Sequence, residues 1–266
     1  MNKRNERVWG VTPGLVAATL LMYLVTVACS SSKTAAPPKA PPYTPRFAYP
    51  SEQSPEKLDV TVGLVNPQWG GNGAEFYAEN KKDSVVKSFI GGLRTSVNEL
   101  LSNKGFNITG PFHSVDDMTF PEKKSADFVV YLENDIAGGL NITNMRQETV
   151  KTTSGEGVVT VCEAAISVGG TISIIAKEPL SGEKMWVKRI EIPEETKPID
   201  LQSETYGAIA KICNKQATTS GSRDDWGRMH VAMFQRVMKA MDKYINGEEF
   251  QVLKKQAAEL RAKKTY

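Results

Sequence analysis

KDSVVKSFIGGLRTSVNELLSN, from Lys82 to Asn103, carries the strongest periodic pattern of the chain. Val86, Phe89, Ile90, Leu93, Val97, Leu100 and Leu101 recur at spacings of three and four, the pattern of an amphipathic helix of about six turns. Lys104-Gly105 closes it, because glycine suits the left-handed position beyond a helix end. Upstream, Val60, Val62 and Leu64 alternate within Leu58 to Val65 as a half-buried strand does. Pro67 and the run Gly70-Gly71-Asn72-Gly73 then break that strand, and the glycines read as a strand-to-helix loop. Downstream, Phe106-Asn107-Ile108 reads as a short strand, Glu122-Lys123-Lys124 as a charged turn, and Ala126 to Glu133 as a buried strand.

Three more strands are expected over Val158 to Cys162, Thr171 to Ala176 and Met185 to Ile192. The loop Glu178-Pro179-Leu180-Ser181-Gly182-Glu183 has the length and glycine content of a hairpin connection between the last two. Ile199 to Ile212 is read as a helix, followed by a polar loop over Thr218 to Asp225. A closing helix starts near Asp224 or Asp225, either of which can cap it, with the stripe Trp226, Met229, Met233, Phe234, Val237, Met241 and Tyr244. After Asn246-Gly247 a charged helix carries a narrow seam of Phe250, Leu253, Ala257 and Leu260. That seam is too short for a coiled coil, so docking on the same domain is expected, with a partner helix as the alternative. The fold class is α+β: one domain over 58–246, a mixed or mainly antiparallel sheet packed against two long amphipathic helices, and a helical tail over 247–266. The pattern is similar to TolB-N-like periplasmic domains, an analogy of fold alone.

Lys3, Arg4 and Arg7 precede an apolar run from about Val11 to Val25 and then Thr26-Val27-Ala28-Cys29-Ser30. Basic residues, a short apolar segment and small residues at a cleavage point make a signal peptide over 1–28. A cysteine directly after the small residue marks the lipoprotein form, in which Cys29 carries diacylglycerol and an N-acyl chain and is held more firmly than by one chain. An uncleaved membrane helix is the alternative; Pro13 and Gly14 and the absence of a basic stop-transfer cluster after Cys29 argue against it. Ser30, where Asp would favour retention at the inner membrane, points to the outer membrane. Residues 29–57, rich in Ser, Ala and Pro, read as a spacer rising about 3.1 Å per residue where polyproline-like.

The formal charge of +3 loses two units when Lys3, Arg4, Arg7 and Glu6 leave with the signal. A nearly neutral mature chain excludes the concentrated basic face that nucleic-acid binding needs. His113 and His230 are its only histidines, with no Cys-x-x-Cys and no histidine pair at metal spacing, so neither a metal site nor another cofactor is expected. His230 reads as a helix-surface residue. The glycine-rich run lacks the Lys-Ser/Thr of a phosphate loop, and the acid pairs Asp116-Asp117, Glu194-Glu195 and Asp224-Asp225 suit turns and caps. No catalytic residue is assigned. Cys162 and Cys213 form a candidate disulfide in an oxidising compartment, with two buried thiols as the alternative. Trp69, Phe76, Tyr77 and Trp186 are read as core or hairpin packing, with a sugar-stacking role as the alternative.

Leu100 to Phe106, Glu178 to Glu183, and the tail from Met241-Asp242-Lys243 to Ala257-Ala258-Glu259-Leu260-Arg261 together resemble the neuraminyllactose-binding haemagglutinin (HpaA) family of bacterial lipoproteins. The resemblance covers roughly residues 58 to 266 and includes the lipoprotein start. It implies an outer-membrane or flagellar-sheath lipoprotein and adhesion to sialylated glycans. The family's basic segment, Lys-Arg-Thr-Ile-Gln-Lys, is missing: between Asn141 and Glu163 the only basic residues are Arg146 and Lys151. One Arg beside Glu148 is a poor substitute for a bidentate carboxylate fork, so sialic-acid binding does not carry over residue by residue. Two readings follow: a surface-exposed adhesin for host glycans, or a structural or assembly factor of the envelope or flagellar sheath acting through protein contacts.

Overall fold

The computed structural model describes residues 43–152, 155–203 and 220–264. Strand β1 (Thr61–Val65) is buried from Val62 onward. Strand β2 (Gln68–Trp69) leads into helix α1 (Gly71–Asn80), where a loop was expected. Glycine is required here by contact as well as conformation. A Cβ on Gly73 would stand 2.3 Å from the carbonyl oxygen of Asn134, and Gly71 has φ +52°. The Asp135 carboxylate then accepts from the Gly73 amide at 3.1 Å, which occupies the helix N-terminus.

Helix α2 (Ser84–Asn103) is the helix expected from the opening stretch. Asp83 caps it, accepting from the amides of Val85 at 2.9 Å and Val86 at 3.0 Å. Its far end closes through Gly105 at φ +89°, with Phe106 N donating to Leu101 O and Gly105 N to Ser102 O, the paired bonds of a Schellman motif. Strand β3 (Asn107–Phe112) follows, and then helix α3 (Phe120–Ser125), where a charged turn was expected. A capping box between Thr119 and Glu122 nucleates this short helix.

Three long strands complete the sheet: β4 (Phe128–Thr152), β5 (Gly155–Lys177) and β6 (Lys184–Ser203). They replace the four shorter strands expected over this region. The expected helix from Ile199 to Ile212 is likewise corrected: residues 199–203 belong to β6, with Ile199 opposite Ala164 and Leu201 opposite Cys162. The remainder of that stretch lies outside the described residues. Sheet order is β3-β1-β4-β5-β6, with β1 parallel to β3 and β4, and β4, β5 and β6 mutually antiparallel; β2 pairs in parallel with β4. This is the expected mixed sheet of an α+β fold.

Helices α4 (Ser220–Tyr244) and α5 (Gly247–Lys263) end the chain. Phe89, Leu93, Val97 and Leu100 of α2, Met233, Phe234, Val237 and Met241 of α4, and Val62, Val130, Ile172 and Ile174 of the sheet share one core. Helix α5 belongs to it as well, through Phe250 and Leu253. Phe250 meets Phe106, Phe128 and Trp186 at ring distances of 4.8, 5.2 and 5.9 Å. A second, smaller core on the opposite sheet face joins Val65, Met118, Val129, Tyr131 and Ile175.

Residues 43–57, expected as the last part of the spacer, lie against the domain. Phe47 packs edge-on to Phe89 at 5.8 Å and to Phe234 at 5.6 Å, and Tyr49 donates to Asp242 at 3.1 Å. A Cβ on Gly92 would fall 2.3 Å from that of Phe47, so the glycine makes room for this strap.

Candidate functional site

The stretches that carry the family resemblance meet one another in the fold. Glu178, first residue of the β5–β6 connection, is fully buried, and Arg261 near the end of α5 donates to it from Nε at 2.8 Å. The other arm of the guanidinium donates to the carbonyl oxygens of Ala126 at 2.7 Å and Asp127 at 3.2 Å. Burial pushes the Glu178 carboxyl up, but the amides of Ser181 and Leu180 and the Arg261 guanidinium together hold it below the usual carboxylate range. Lys104, beyond the end of α2, binds Asp242 of α4 through both its carboxylate and its carbonyl oxygen, each at 2.7 Å. These residues therefore tie α5 to the β5–β6 connection and to the residues just before β4, and α4 to the end of α2. They are positioning contacts, each already engaged by a partner within the chain.

Arg146 stands on the distal half of β4 and is exposed, yet both neighbouring acids hold it. Its Nε donates to Glu148 at 2.7 Å, and its Nη1 pairs with Glu163 of β5. Lys151 pairs in the ladder with Glu156, five positions farther along β4. The two candidate glycan residues are thus on one ribbon, and the guanidinium fork is already filled. Cys162 is buried in β5, whereas Cys213 lies outside the described residues, as do Cys29 and the signal segment. Among the described residues no helix is long and apolar enough to cross a membrane, and no group of His, Cys, Asp or Glu is arranged to hold a metal ion.

His230 is not on the helix surface. It is 1 % exposed, packed against the rings of Trp226 at 4.3 Å and Phe89 at 5.7 Å. Its Nδ1 lies 2.9 Å from the Trp226 carbonyl oxygen, which can only accept, so this nitrogen carries the proton. Burial holds its pKa down to about 4, against weaker upward pulls from that carbonyl and from Asp83. The ring is a neutral core group at physiological pH.

Of the aromatic candidates, Phe76 is core, and Trp186 donates its indole N–H to Glu249 at 2.6 Å. Trp69 and Tyr77 stack at 5.0 Å with their planes 10° apart, and both remain half-buried. Tyr77 also lines an open cleft of about 300 Å³ between the β1–β2 loop, α1 and α2. Asn66, Lys87, Ile90, Gly91 and Arg94 complete most of its wall. Lys87 and Arg94 are exposed, and among the described residues neither side chain has an ion-pair or hydrogen-bond partner. Among the described residues no acidic side chain lines this cleft. An aromatic ring, an amide and two unengaged cations are what a polar, anionic ligand requires. In the sequence Lys87 and Arg94 look like ordinary solvent-face residues of an amphipathic helix. Their only signal is the seven-residue spacing astride Gly91-Gly92.

Comparison with known proteins agrees with this architecture. The family model of the neuraminyllactose-binding hemagglutinin precursor matches residues 41–264. The crystal structure of a neuraminyllactose-binding hemagglutinin homologue from Helicobacter pylori superposes with a TM-score of 0.51 at 16 % identity, over 82 % of this chain and 100 % of that one. Rare lipoprotein B from Shewanella oneidensis gives 0.27 at 10 % identity, over 69 % of this chain and 95 % of that one. A lipoprotein from Neisseria meningitidis gives 0.24 at 14 % identity, over 60 % and 99 %. No curated protein matches the chain.

Proposed function

The chain belongs to the neuraminyllactose-binding hemagglutinin family, and on that premise we propose that it is an outer-membrane lipoprotein acting as an adhesin. Acyl chains on Cys29 anchor it, and the folded domain binds a host glycan. The observation that carries this reading is the family match along almost the whole domain, joined to a start that reads as a lipoprotein signal ending at Cys29. Sialic-acid recognition through the ribbon is not part of it, since Arg146 is held by Glu148 and Glu163. No cofactor other than the lipid, no nucleic acid and no catalytic step is assigned to it.

Protease treatment of intact cells, with a periplasmic protein as leakage control, tests the display. Degradation of the domain without leakage is expected. Protection until the outer membrane is permeabilised would sink the adhesin.

The second reading, an assembly or structural factor of the envelope or flagellar sheath, has its own observation. Residues 143–149 of β4 are exposed on both faces, with Met145 48 % exposed at the far part of the ribbon. Protection from protease together with cross-linking from Met145→Cys to an envelope protein would favour this alternative.

A further inference from the structure

We propose that the cleft along α2 binds a linear sulfated glycan, with Lys87 and Arg94 each taking a separate sulfate and the exposed edge of Tyr77 packing against a sugar ring. Its biological use rests on the adhesin reading; the binding itself does not. Lys87 and Arg94 stand seven residues apart on one helix face, so their backbones are separated by about 10 Å along the axis. Both line the same cleft, and neither side chain is engaged by another described residue. Between them lies Gly91, over which a side chain would meet nothing within 4 Å, so the floor between the two cations is low and open. A ligand bearing one carboxylate satisfies one cation and leaves the other unused. A chain bearing anions at intervals engages both, and no acidic side chain among the described lining residues opposes it. Arg146 offers no comparable site, because its charge is offset within the ribbon.

The test uses the mature lipidated protein in detergent on immobilised heparin, with heparin hexasaccharide, fully desulfated heparin and sialyllactose as soluble competitors. Retention is expected, released by the hexasaccharide and by neither of the others. Lys87→Gln and Arg94→Gln should each weaken binding about tenfold. The pair Lys255→Gln and Lys263→Gln, exposed residues of α5 away from the cleft, should leave it unchanged. No retention, equal retention of the cleft variants, or displacement by sialyllactose as effective as by heparin would each overturn the proposal. Failure of the adhesin reading shows separately, as protection from protease on intact cells with heparin binding intact.

Discussion

The buried Glu178–Arg261 pair shows how one residue can hold an element. Arg261 is 23 % exposed and Glu178 1 %, so removing the guanidinium strands a carboxylate in the interior. Arg261→Met is expected to lower stability by about 3 kcal/mol in urea unfolding, and adding Glu178→Gln should restore much of the loss because no buried charge then remains. His230 adds a pH dependence of definite sign. Its folded pKa of about 4 lies below the ordinary 6.5, so the unfolded chain binds more protons between these values and stability falls as pH drops through that window. At pH 5 the loss is about 2 kcal/mol relative to pH 7. Melting temperatures at the two pH values should differ in wild type, and His230→Phe should remove most of that difference.

Among the elements, the tail helix and the ribbon depart furthest from what their composition suggests. Helix α5 is largely charged, with acids Glu248 and Glu249 in its first turn and Arg261 and Lys263 in its last, a distribution that complements the helix dipole. Its few apolar residues nevertheless reach the main core. Phe250→Ala should cost about 3 to 4 kcal/mol, read as a lowered urea midpoint, because three aromatic neighbours cannot collapse into the space. An unchanged midpoint would mean that α5 is an appendage. In the ribbon, β4 keeps pairing with β5 well beyond its apolar run, out to Thr152 opposite Gly155. Backbone hydrogen bonds extend the ladder where side chains are polar, which is why the apolar runs alone mark strands that are too short. One break in the β5–β6 pairing falls between Val168 and Gly170, where Pro193-Glu194 of β6 is passed over. A Cβ on Gly170 would come 2.2 Å from the Asp135 carbonyl oxygen, so glycine permits the close approach and twist there.

At the scale of the molecule, a Cys162–Cys213 bridge is proposed to close a loop of about 50 residues and to contribute about 4 kcal/mol through the unfolded chain. Peptide mapping without reductant should recover the two cysteines as one linked species, and reduction should lower the melting temperature; two free thiols would refute the bridge. The α+β class, helix α2 with its glycine closure, the helices α4 and α5, and the family membership were all legible in the sequence. Each depends on local chemistry: an apolar period, a cap, or a short ordered motif. The burial of His230, the joining of Glu178 to Arg261 across 83 positions, the length of the ribbon and the cleft holding Lys87 and Arg94 were decided by tertiary structure. Periodicity reports which face of an element is apolar, but which distant face covers it, and which cations are left without partners, depends on contacts that form only when the whole chain packs.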